Sequence, residues 1–272
     1  MSDRKSGLRY NVTRQLKKVY LNAIDQVRQI NPQFGYRESD VLIPSFPKSG
    51  RNWVRFLLAN SIVVAEGRDT EIHFLNSSGW ISTTVCKTPP IGEGYPRIAA
   101  DHGEYAGQNT KAIYILRHPA DVMESYYVYQ RDRWNEPVGE FSEFIRDDEW
   151  GVTSWKSHVE SWEGHVDVLV TFEGLKDDPG ARLREMYTLF ERTIDDETVA
   201  AAVERSSFEN MARMEEKYGI PEKHGANNDF TFMRRGDASQ GADYFDDNDY
   251  RYLWEAAGDV MDRYGYDVPV TV

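Results

Sequence analysis

Residues 46–53 read "FPKSGRNW" and stand between the apolar run "DVLIPSF" (40–46) and the stretch "NWVRFLLANSIVVA" (52–65). The first has the length and continuous hydrophobicity of a buried strand. The second has an apolar face wide enough for an internal helix. The loop between them is short, so strand, turn and helix follow without a break.

That unit recurs. "KAIYILRHP" (111–119) reads as a second buried strand, and Pro119 suits the first turn of the helix "ADVMESYYVYQ". "DVLVTF" (167–172) is a third strand, followed by the helix "DPGARLREMYTLFE" with Asp177 and Asp178 near its start, where negative charge is favoured. Further helices are expected around "TSWKSHVESWEGH", over 195–217 and over "DYRYLWEAAGDVMDRYG". Strands alternating with helices predict an α/β protein with a parallel sheet flanked by helices. Residues 66–110 read as loops with short elements, and 218–247 as a Gly/Asn/Asp-rich segment. A polar helix over 8–35 would make 1–35 an N-terminal helical extension, with one domain over 36–272.

The totals narrow the function. Among 272 residues, 32 Lys+Arg stand against 45 Asp+Glu, a net charge of −13. Such a field repels polyanions, so no nucleic-acid partner is expected. Cys86 is the single cysteine, which excludes an intrachain disulfide and a cysteine-based zinc site. "FLLANSIVVA" (56–65) is far shorter than the roughly 20 residues a membrane helix needs. The opening "MSDRKSGLRY" lacks the apolar core of a signal peptide. The expectation is a cytoplasmic protein without a membrane partner.

In parallel sheets ligands bind beyond the carboxyl ends of the strands, where "FPKSGRNW" and "LRHPADVMES" both fall. A helix N-terminus there offers N–H donors to an anion. Gly50 lets the backbone come close, Ser49 and Asn52 add donors, and Lys48 adds a cation. The nucleotide loop G-x-x-x-x-G-K-[ST] places its lysine after the glycine. Here that order is reversed and the first glycine is missing, so an ATP or GTP loop fits poorly. Alone, "PKSG" could equally be a tight turn with a surface lysine. Arg117, with Ser125 eight residues on, and "FMRRG" (232–236) add two more candidate anion sites. Three such segments suit a ligand with two separate phosphate-like ends.

These residues resemble the cytosolic-type sulfotransferases, which use 3′-phosphoadenosine 5′-phosphosulfate (PAPS) and release adenosine 3′,5′-bisphosphate (PAP). "FPKSGRNW" looks like that family's 5′-phosphosulfate loop, commonly P-K-S-G-T-T-W. "IYILRHPADVMESYY" is similar to its 3′-phosphate segment, and "TFEGLKDDP", "SSFENM" (206–211) and "FMRRG" match later motifs in the family's order. The resemblance implies a P-loop-like strand–loop–helix phosphate site. It also implies transfer of a sulfuryl group to a hydroxyl of a small acceptor, without a metal. Lys48 would contact the sulfate and the bridging oxygen, and Ser49, Gly50, Arg51 and Asn52 would hold the 5′-phosphate. Trp53 would stack on adenine with Phe172 and Phe208, beside Ser206. Arg117, Ser125, Arg234, Arg235 and Gly236 would hold the 3′-phosphate, with Phe232 and Met233 in the same segment. Arg51 and Asn52 replace the family's two threonines, Phe172 a tyrosine and Arg235 a lysine. The family's dimer motif is not recognisable, and oligomeric state stays open.

Sulfuryl transfer parallels phosphoryl transfer, so a cation on the leaving oxygen and a base on the acceptor hydroxyl are the parts required. Lys48 is the natural cation. His102, fifteen residues before Arg117 in "AADHGEY", is the candidate general base. Glu104, His73 or a purely structural His102 remain open, and Pro89 of "CKTPP" stands where an alternative register would want the histidine. His118 is expected to be structural, and His158, His165 and His224 to lie on the surface. Trp53, Phe172 and Phe208 taken singly could be core, and Tyr126 and Tyr129 read as packing. Phe74, Trp80, Tyr95, Trp134 and Trp150 are candidate acceptor aromatics. The rival functions are a P-loop-type nucleotide-dependent kinase and a non-catalytic nucleotide-binding protein.

Overall fold

Val41–Pro44 (β1) is buried on both faces, and its side chains divide between two cores. Val41 and Ile43 join one apolar cluster, and Leu42 joins the other. The same alternation runs through Ile98–Asp101 (β2) and Lys111–Leu116 (β3): Ile98, Ala100, Ile113 and Ile115 on one side, Ala99, Ala112, Tyr114 and Leu116 on the other. Successive side chains of a strand point to opposite faces, so a run apolar at every position requires cover on both sides. The structure, a computed structural model, describes residues 36–82, 91–92, 94–234, 236 and 241–269. The expected leading helix, Cys86, Pro89 and Arg235 lie outside the described residues.

The helices Arg51–Ala65 (α1) and Ser77–Trp80 (α2) lie between β1 and β2, and Pro119–Val128 (α3) follows β3. A π-helical turn, Tyr129–Arg133, continues α3. Phe141–Phe144 (α4) and Val152–Trp162 (α5) lead to Val168–Thr171 (β4). Phe172–Asp177 (α6), Pro179–Tyr187 (α7), Asp196–Arg205 (α8), Phe208–Tyr218 (α9) and Asp247–Arg263 (α10) complete the described chain. The described strands form a sheet in the order β2-β1-β3-β4, with every neighbouring pair parallel. One face is covered by α1, α7 and α8, the other by α3, α5 and α10. From β1 the chain passes to β2 on one side, then crosses to β3 on the other. Strand order therefore reverses between β1 and β3, which opens a crevice at their carboxyl ends.

Two expectations change. Residues 66–110, read as loops with short elements, include the short edge strand β2, whose small residues Ala99 and Ala100 give a weak apolar signal. The single helix expected over 195–217 breaks at Ser206-Ser207. There the Ser207 side chain accepts the N–H of Asn210 and starts a new helix. His158 is buried rather than on the surface: it lies on the face of α5 shared by Trp155, Val159 and Trp162, and its Nδ1 pairs with the Tyr114 hydroxyl at 2.8 Å. His165 and His224 are exposed. Among the described residues, no helix is long and apolar enough to cross a membrane.

Candidate active site

Each described strand delivers a residue to the crevice at its carboxyl end: Lys48 after β1, His102 after β2, Arg117 after β3 and Phe172 after β4. The turn after β1 is tight. Lys48 has φ of 73° and Gly50, which caps α1, has φ of 105°. A left-handed lysine costs on the order of 1 kcal/mol and persists only where its surroundings hold it. Here the Arg117 guanidinium donates to the Lys48 carbonyl at 3.3 Å, and the Ser49 N–H donates to the Phe46 carbonyl at 3.3 Å. Gly50 has no alternative: a Cβ there would come within 2.8 Å of the Phe172 ring. The turn leaves the N–H groups of Arg51 and Asn52 at the open end of α1.

These residues line one cavity of about 880 Å³. Lys48, Arg51, Arg117 and Arg234 all border it, a concentration of cations in a protein of net charge −13. The Lys48 ammonium lies 4.3 Å from the Tyr129 ring centre and 5.4 Å from that of Phe232. Burial first, then the charges of Arg234, Arg117 and Arg51, bring Lys48 down to about 7, with Glu215 opposing. Burial also brings Arg51 down to about 10, against the opposing influence of Asp101 and Tyr129. Arg51 Nε is buried without a hydrogen-bond partner. Desolvated cations and an unpartnered guanidinium nitrogen are what a polyanionic ligand would stabilise.

At one end, Trp53 meets Phe172 edge to face at 5.6 Å, with Phe208 on the same wall. The Arg117 guanidinium lies 4.1 Å over the Phe172 ring, and Ser125 on α3 also borders the cavity. Ser206 is buried and accepts from Asn60 Nδ2 at 3.0 Å, which ties α1 to the end of α8. Met233 and Gly236 reach the cavity from the late segment, and a Cβ at Gly236 would meet the Phe208 ring at 2.4 Å. Ser49 is the exception among the loop residues. It is buried beneath the turn and absent from the cavity wall.

At the other end, His102 Nδ1 donates to the Ser45 carbonyl at 2.7 Å. That bond fixes the tautomer and leaves Nε2 as the ring's acceptor. His102 lines the cavity as an exposed residue, and desolvation by the protein around its ring, followed by the charge of Arg51, holds it well below the ordinary histidine pKa. His118 instead caps α3, accepting the Ala120 N–H at Nδ1, and Nε2 donates to the Asp267 carbonyl at 2.7 Å. His73 stacks on Tyr218 away from the cavity, with ring centres 4.1 Å apart.

The aromatic lining agrees with expectation in part. Trp134 and Trp150 line the cavity as expected, and so do Tyr126 and Tyr129, which the sequence reads as packing. Phe74, Trp80 and Tyr95 do not: Phe74 packs on Phe56, Arg68 covers Trp80, and Tyr95 packs with Tyr187 and Phe190. Sequence reasoning placed the helix of Tyr126 and Tyr129 correctly but had no signal for which of its faces closes on the crevice.

A family model described as the sulfotransferase domain matches residues 38–265. The chain belongs to that family. It is a transferase that moves a sulfuryl group from PAPS. Curated relatives include Sulfotransferase 1A1 of Bos taurus, 28% identical over 253 residues, covering 80% of this chain and 83% of the relative. Sulfotransferase 1B1 of Canis lupus familiaris is 27% identical over 237 residues, covering 78% and 80%. Among solved structures, retinol dehydratase in complex with retinol and PAP superposes with a TM-score of 0.68 at 16% identity, over 93% of this chain and 88% of that one. Mouse sulfotransferase SULT7A1 complexed with PAP gives 0.59 at 23% identity, over 84% and 86%. These likenesses extend the shared fold across nearly the whole sheet and its helices.

Proposed function

We propose that this domain, residues 36–272, transfers the sulfuryl group to a hydroxyl of a small acceptor, with Lys48 as the cation at the leaving oxygen and His102 as the general base. The observation that carries this is the placement of His102 and Lys48 on one cavity, the first with Nδ1 committed to the Ser45 carbonyl, which leaves Nε2 as the free acceptor of the ring.

The wall residues fit the donor nucleotide. Four cations answer its anionic groups, and Trp53, Phe172 and Phe208 offer aromatic surface for a purine. Arg51 Nε, buried on this wall without a hydrogen-bond partner, is one donor such an anion would satisfy. When bound, PAPS supplies a sulfuryl group already activated by its link to phosphate. The first-turn N–H groups of α1 and the Lys48 ammonium bind the phosphosulfate end, and Arg117, Ser125, Arg234 and Arg235 bind the 3′-phosphate. Lys48 donates a proton in hydrogen bonding to the oxygen that gains charge. His102 Nε2 takes the acceptor's proton, and the Ser45 carbonyl stabilises the imidazolium that forms. Lysine, arginine and a helix terminus together neutralise the leaving group, so the reaction proceeds without a metal. Tyr126, Tyr129, Trp134 and Trp150 suit an acceptor with a ring or an apolar chain beside its hydroxyl.

The test is sulfuryl transfer from labelled PAPS to a panel of phenols, glycosides and lipid alcohols in the presence of EDTA. His102→Ala should lower kcat by about 10²- to 10⁴-fold with PAP binding retained. Lys48→Ala should lower kcat by at least about 10²-fold. Full activity in His102→Ala would remove the base assignment. Loss of transfer in EDTA, restored by magnesium, would remove the metal-free mechanism.

A further inference from the structure

The chain between α9 and α10 returns to the cavity at Phe232, Met233 and Arg234 without forming a helix or strand on the way. Two charged side chains hold it. From the π-helical turn, the buried Arg133 donates to the Pro221 carbonyl at 2.9 Å, to Asn228 Oδ1 at 3.1 Å and to the Asn227 carbonyl. From α9, Glu215 accepts the Phe232 N–H on Oε1 at 2.6 Å and the Met233 N–H on Oε2 at 2.8 Å. Each carboxylate oxygen thus serves one amide. α9 is itself fixed, because Met211 and Met214 are buried in the cluster that holds Phe56 and Phe74.

What these two bonds position is the Phe232 ring and Arg234. The ring stacks on Phe74 at 6.0 Å, tilts against Tyr129 at 5.7 Å and lies 5.4 Å from the Lys48 ammonium. Arg234 is the charge that acts most strongly on Lys48, and Glu215 is the acidic group that opposes it.

We propose that Glu215 is a positioning residue of the donor site: its carboxylate fixes the Phe232–Met233 backbone and so holds the Phe232 ring and Arg234 over Lys48. This rests on the PAPS reading above. The rival role is that of a counter-charge alone, and the two roles act on PAP binding with opposite sign. A mere counter-charge competes with the ligand's phosphates, so its removal tightens binding. An anchor preorganises the cations, so its removal weakens binding.

The experiment uses Glu215→Gln, which loses the charge and one acceptor oxygen, and Glu215→Asp, which keeps the charge on a shorter stem. PAP affinity is measured by calorimetry, and amide exchange at Phe232 and Met233 by NMR in the ligand-free protein. Thermal melting checks that each variant is folded, and the near-isosteric Gln variant remains informative if Asp perturbs the fold. Anchoring predicts weaker PAP binding in both variants, by about tenfold, with amide protection falling by about tenfold or more. Tighter binding in Gln with wild-type binding in Asp would overturn the proposal. So would unchanged protection of the two amides. Failure of the wild-type protein to bind PAP would instead remove the PAPS reading, and the exchange measurement would still decide whether Glu215 anchors the segment.

Discussion

The two ends of the cavity are built by different means. The end around Lys48, Arg51, Arg117 and Ser125 comes from strand–helix junctions, where the backbone itself supplies donors and a single glycine decides the turn. The end around Tyr126, Trp134, Trp150 and His102 comes from side chains on four separate segments, brought together only by the folded sheet and α3–α5. A junction is written in consecutive residues, whereas a wall is written in the packing of distant ones. The first kind of site shows as a motif, whereas of the second His102, Trp134 and Trp150 can be named only singly and Tyr126 reads as packing.

The sharpest way to break that comparison is to substitute one residue from each end and measure both ligands. Arg117→Ala removes a cation that also braces the Lys48 carbonyl. PAP affinity should fall by about 10- to 100-fold, as for loss of charge-assisted hydrogen bonds. Trp134→Ala, among the candidate acceptor aromatics, should leave PAP affinity unchanged and raise the acceptor KM by several-fold to about tenfold. If Trp134→Ala weakens PAP as much as Arg117→Ala does, the cavity is one site rather than two.

Much of the fold was legible for a physical reason. β1 and β3 are apolar at nearly every position because both faces are covered, and such runs are hard to mistake when a helical pattern follows. β2 was not legible. Its Ile-Ala-Ala-Asp carries little β-propensity and owes its strand state to pairing with β1. Consequently His102 could be named as a candidate base without its setting: the Ser45 carbonyl that fixes its tautomer is 57 residues away. His158 shows the opposite failing. Its spacing from Trp155 and Trp162 already placed it on the inner face of α5, and periodicity would have found it buried. Glu215 gave no signal, because a carboxylate that serves backbone amides of a distant segment looks like any exposed helical glutamate.

A smaller effect sharpens the electrostatic side of the comparison. Lys48 stands at about 7 in the ligand-free protein, mainly through burial and the neighbouring arginines. A bound polyanion favours the charged lysine and raises that value, so binding takes up a proton. The sign follows: PAP affinity should fall by up to about tenfold per pH unit above about pH 7, until the bound-state value is reached. Calorimetry in buffers of different ionisation enthalpy would detect the proton at pH 8. A pH-independent affinity across this range would mean that Lys48 is fully charged before the ligand arrives.

The smallest effect concerns Arg51, which touches both ends. It sits on the phosphate-loop side of the cavity, where its relatives' motif commonly has threonine, yet among charged groups it acts most strongly on His102. A cation beside an imidazole disfavours the imidazolium, so Arg51 keeps His102 neutral to a lower pH than an ordinary histidine. The acid limb of kcat/KM should therefore lie below pH 6.5, since a neutral Nε2 is what the reaction needs. In Arg51→Thr, burial remains while the charge is lost. The limb should move upward, so that transfer begins to fail at a higher pH than in the wild type. If the limb stays in place while PAP affinity drops, Arg51 belongs wholly to the phosphate end, and the boundary between the two halves runs between its guanidinium and the His102 ring.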